Sequence, residues 1–113
     1  MPHLVIEYAK DLEPQLAPGQ LIEKAFGGAV QSGLFTADDI KIRVRAYEDY
    51  QIGTGKNRFI NITAHILSGR TVAQKSSLTD AILMQLKSLK LGAIELTVQV
   101  YNIERETYAK ARF

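Results

Sequence analysis

Cysteine and tryptophan are both missing from this chain, and proline and methionine are scarce, with three and two copies. Without a thiol there can be no disulfide framework, no thiol nucleophile and no thiolate metal site. Charge of one sign is also lacking. Fourteen Lys and Arg against twelve Asp and Glu leave a formal charge of only +2, and the cations are scattered, so no electrostatic footprint for duplex DNA or an anionic membrane stands out. No segment approaches the roughly 20 apolar residues needed to cross a bilayer, and the start lacks the basic and apolar regions of a signal peptide. The reading is therefore a soluble, cytoplasmic protein with neither nucleic acid nor membrane as partner. The full G-x-x-x-x-G-K-[ST] phosphate loop is absent around Gly53–Lys56, and no G-x-S-x-G elbow occurs.

What is present is a repeated pattern. Leu4, Ile6 and Tyr8 alternate with Val5 and Glu7, which predicts a strand; Asp11, Pro14, Pro18 and Gly19 then mark a turn. Leu21, Ile22, Ala25, Phe26, Ala29 and Val30 recur at helical spacing, with Pro18 placed for a first turn and Gly33 for a stop. Ile40, Ile42, Val44 and Ala46 alternate with Lys41, Arg43, Arg45 and Tyr47, a half-buried strand with one cationic face. A turn-rich link through Gly53–Asn57 reads as a hairpin, and the order then repeats. The second copy has Ile60, Ile62, Ala64 and Ile66 on its first strand, Leu78, Ile82, Leu86 and Leu89 on its helix, and Ile94, Leu96, Val98 and Val100 on its last strand.

The chain thus reads as one α+β domain over residues 1–113, built from repeat units at about 2–50 and 58–105. Right-handed crossovers put both helices on one face of a four-stranded mixed sheet. The other face collects His3, Glu7, Lys41, Arg43, Arg45, Asn61, Thr63, His65, Thr97 and Gln99. A domain this small with an uncovered polar face is expected to form a homo-oligomer.

Two positions suggest chemistry. Thr71 and Gln74 have capping-box spacing, so Arg70 immediately precedes a helix N-cap. A guanidinium beside a helix N-terminus suits a carboxylate or phosphate, although a solvated arginine in a turn is the commoner arrangement. Met1-Pro2 is the second: removal of the initiator would leave a secondary amine at the start of a strand, and an apolar, cation-lined pocket would turn it into a base at neutral pH. Retained methionine would instead make that nitrogen a tertiary amide. Lys41, Arg43 and Arg45 repel one another unless water, acids or a bound anion balance them. His3 and His65 have no ligand spacing, so no metal site and no cofactor are expected.

Met1-Pro2, the doubled β-α-β unit and the run His65-Ile66-Leu67-Ser68-Gly69-Arg70-Thr71-Val72-Ala73-Gln74-Lys75 resemble the tautomerase superfamily. Across nearly the whole chain, including Ser32-Gly33-Leu34-Phe35 and Ile40-Lys41-Ile42-Arg43-Val44, it is most similar to the 5-carboxymethyl-2-hydroxymuconate delta-isomerases. That resemblance implies a homotrimer with sites near subunit boundaries, an isomerase of aromatic-compound catabolism, and an acidic 2-hydroxy-dienoate as substrate. It implies Pro2 as proton-transferring base and acid and Arg70 as catalytic carboxylate-binding residue. Lys41 and Arg43 are the implied further substrate-binding cations. Lys41 stands where the family pattern has arginine, keeping the charge without the bidentate fork.

Two other readings compete. A catalytically inactive trimeric ligand-binding protein could keep the same scaffold. The same element order also occurs in RNA-binding folds, but Arg58-Phe59-Ile60-Asn61-Ile62 supplies one aromatic where stacking needs several.

Overall fold

A computed structural model describes all 113 residues. Strand β1 (His3–Ala9) leads through a short 3-10 turn to helix α1 (Pro18–Gln31), then to β2 (Lys41–Tyr47); β3 (Phe59–Leu67), α2 (Val72–Lys87) and β4 (Glu95–Ile103) repeat that order. The four strands form one sheet in the order β2-β1-β3-β4. Within each unit the strands are parallel, and the units join through the antiparallel β1/β3 pair. The mixed sheet with two helices is the architecture the periodicities predict.

Strict alternation sets the layers. Leu4, Ile6, Tyr8, Ile60, Ile62, Ala64 and Ile66 turn to the helices and are buried with Leu21, Ala25 and Ala29 of α1 and Leu78, Ile82 and Leu86 of α2. Pro18 opens α1, and Gly33, at φ +73, follows its end in the left-handed region. Phe26 and Val30 depart from the helical pattern: they are 39% and 44% exposed. The reason is the close approach of the two helices at Gly28, where an added Cβ would lie 2.7 Å from Ile82 Cα. That approach turns the Leu21, Ala25 and Ala29 side inward and leaves Phe26 and Val30 outside.

The link between the units differs from the simple hairpin read in the sequence. Ile52 and Gly55 exchange backbone hydrogen bonds of 2.9 and 3.1 Å, so a tight turn exists. The strands it connects do not pair, because β1 lies between β2 and β3. No helix is long and apolar enough to cross a membrane.

Candidate active site

Because β3 runs antiparallel to β1, the starts of β1 and β2 lie at the same end of the sheet as the finishes of β3 and β4. A cavity of about 230 Å³ opens at that end, lined by Met1, the α1–β2 connection (Leu34, Phe35, Thr36, Asp39), Ile66 and Leu67 of β3, and Arg70 and Arg105. Met1 lines it, while Pro2, the next residue, is fully buried.

Arg70 is held in place by the chain around it. Its Nη2 donates to the Leu34 carbonyl at 2.6 Å, and its guanidinium lies 5.9 Å from the centre of the Phe35 ring. The next residue, Thr71, caps α2: Thr71 Oγ1 accepts from the Gln74 amide at 3.1 Å, and Gln74 Oε1 accepts from the Thr71 amide at 2.9 Å. The capping box read from the sequence therefore forms, and it fixes where the helix, and with it Arg70, begins.

Lys41 reaches the same neighbourhood. Its Nζ donates to the Asp39 carbonyl at 2.9 Å, and the N-terminal amine donates to that same oxygen at 2.7 Å. Burial, then the Lys41 side chain's hydrogen bonding and charge, bring the amine down from its usual 8.0 to about 6. The Met1 amine is thus mostly neutral at physiological pH. His3 is also held below the usual imidazole range, by burial first and then by the charges of Lys41 and Arg43; its Nε2 is 3.1 Å from the Tyr108 hydroxyl.

Arg43 lies elsewhere. It is exposed on the polar face, beside a separate cavity of about 280 Å³ with Val5, Glu7, Val44 and Arg45. The structure therefore gathers Pro2, Lys41 and Arg70 at one end of the sheet and leaves Arg43 out of that group within a single chain. A larger cleft of about 870 Å³ sits at the opposite end, but Asp11, Glu13, Glu48 and Asp49 outnumber its two lysines, Lys10 and Lys56. Its charge opposes an anionic ligand, and the N-terminal amine is not there.

The segment after β4 supplies residues that sequence reading assigned no role. Arg105 donates through Nε and Nη2 to the Ser68 carbonyl at 3.3 and 3.0 Å. Lys110 Nζ and Arg112 Nη2 each lie 3.4 Å from Asp39 Oδ1, and these cations hold the Asp39 carboxyl below the usual carboxylate range. The available signal was the cluster of Arg105, Tyr108, Lys110 and Arg112 beyond the last alternating strand. It has no periodicity, so only the fold shows where it returns.

A sequence profile of the family described as 5-carboxymethyl-2-hydroxymuconate isomerase matches residues 2–111. No curated protein matches the chain. Among solved structures it is similar to a 5-carboxymethyl-2-hydroxymuconate delta-isomerase, with 20% identity, a TM-score of 0.83, and coverage of 100% of this chain and 88% of the other. A 5-carboxymethyl-2-hydroxymuconate isomerase from Deinococcus radiodurans R1 gives the same identity and TM-score, covering 99% and 90%. A native fused 4-OT has 17% identity and a TM-score of 0.78, covering 96% and 91%.

Proposed function

The chain belongs to the 5-carboxymethyl-2-hydroxymuconate isomerase family and is an isomerase-like tautomerase, and from that premise we propose that Pro2, freed by removal of Met1, moves the proton on an acidic 2-hydroxy-dienoate such as 5-carboxymethyl-2-hydroxymuconate. The observation that carries this reading is geometric: Pro2 directly follows Met1, which lines the cavity that Arg70 also lines and whose own amine shares the Asp39 carbonyl with Lys41 and is depressed there. A neutral secondary amine accepts the proton of the enol hydroxyl as a dienolate develops, and the resulting ammonium returns it to carbon. No atoms or electrons are gained or lost, so the proton transfer calls for no redox or group-carrying cofactor.

Arg70 binds a substrate carboxylate through the donors that its single bond to Leu34 leaves free. Lys41, one residue into β2, is the cation that stabilises charge on the enolate oxygen. Arg43, off the cavity in its own chain, serves the site of a neighbouring subunit in a homotrimer. Support for that assembly is physical. β2 and β4 are both edge strands with one side unpaired within the sheet, and the polar face has no second layer over it. Two fused 4-OT neighbours of the same fold are described as trimers, one asymmetric at TM-score 0.73 and one symmetric at 0.74.

The test combines intact mass with ketonisation assays on 2-hydroxymuconate and its 5-carboxymethyl derivative. The expected result is loss of Met1, with Pro2→Ala and Arg70→Ala each lowering kcat/KM by about a hundredfold or more. Turnover by protein that keeps Met1, or normal turnover by either variant, would refute the proline mechanism.

A further inference from the structure

Arg70 follows β3 and Arg105 follows β4. The last register pair of those parallel strands is Leu67 with Ile103, so the two arginines lie three and two residues beyond it. This brings both guanidinium groups to the wall of the 230 Å³ cavity that Met1 also lines. Neither forms an ion pair with a carboxylate, since the chain's ion pairs involve only Lys10 with Glu48 and Lys110 and Arg112 with Asp39. Asp39 is the one acid lining the cavity, and two other cations already share its carboxylate.

Both side chains are also pre-oriented. Arg70 is fixed by Leu34 O and the Phe35 ring; Arg105 is fixed by two donations to one carbonyl, that of Ser68, two residues before Arg70. A guanidinium has five N–H donors, so each keeps several for a ligand. Two unpaired cations on one small cavity repel each other until anions balance them. A monoacid neutralises one of them and a diacid neutralises both.

We infer that Arg105 is a second carboxylate-binding residue, the one that holds the far carboxylate of a diacid; this rests on the reading of Arg70 as the first. Arg105→Gln is expected to lower the ratio of kcat/KM for 2-hydroxymuconate, a diacid, to that for phenylenolpyruvate, a monoacid, by about tenfold. Arg105→Lys, which keeps the charge without the fork, should fall between the two. Calorimetry on Met1-free protein with unreactive adipate and hexanoate supplies a readout independent of turnover, in which the wild type prefers adipate and Arg105→Gln loses that preference.

If the wild type turns over no enol but shows an Arg105-dependent preference for adipate, the second carboxylate site stands and the catalytic reading falls. If it turns over both substrates and Arg105→Gln leaves their ratio unchanged, the diacid inference is overturned while catalysis stands. Absence of both turnover and adipate preference overturns both.

Discussion

At the scale of single residues, the site depends on what surrounds one amine. In protein that keeps Met1, acylation of the α-amino group should titrate near 6 rather than 8.0. Lys41→Gln removes the second and third causes of that depression, its hydrogen bond and its charge, but leaves burial, which is the first. The midpoint should therefore rise and still stop short of 8.0; an unchanged midpoint would show that Lys41 does not act on the amine. The same group links stability to pH. Its folded pKa lies below its unfolded value, so between about 6 and 8 the unfolded chain binds more protons. Its contribution is complete above 8 and is lost as pH falls through 6. His3, also depressed, has the same sign, so the thermal midpoint should drop as pH is lowered below the usual imidazole range. His3→Asn should reduce that drop.

Secondary-structure elements position the arginines, and their termini and contacts can be tested separately from catalysis. Thr71→Ala removes the oxygen that caps α2 and should cost about 1 kcal/mol in urea denaturation. Because Arg70 precedes that cap, the variant should also raise KM for an acidic substrate more than it lowers kcat. Where α1 crosses α2 the constraint is steric. Gly28→Ala places a Cβ 2.7 Å from backbone Ile82 Cα, a contact that no side-chain rotation relieves. Destabilisation of about 1–3 kcal/mol is expected, against little effect at Gly27, whose nearest contact is the flexible Gln85 side chain at 3.7 Å.

For the whole molecule the question is what covers the polar face of the sheet. Thr63 on that face is already 8% exposed in the single chain, while His65, two residues further along β3, and Lys41 on the edge strand β2 are half-buried. Sedimentation equilibrium should give three times the 12.6 kDa chain mass, and Thr63→Lys, which puts a charge at the middle of the face, should lower that mass toward one chain and reduce turnover with it. A wild-type mass equal to one chain would overturn the trimer and with it the role assigned to Arg43.

Alternation on four strands and helical spacing on two helices were enough to determine the sheet, its buried face and the capping box at Thr71, because those depend on local periodicity and near neighbours. The sequence also marked Pro2, Lys41 and Arg70 through local position and resemblance. It did not show that Arg43 lies off the cavity, that β1 separates the strands joined by the Ile52–Gly55 turn, or that Arg105, Lys110 and Arg112 return to the start of the chain. Those facts depend on pairing order and on contacts between residues far apart in the chain, such as Arg112 and Asp39, 73 positions apart. Such distances carry no period, so only the tertiary structure decided them.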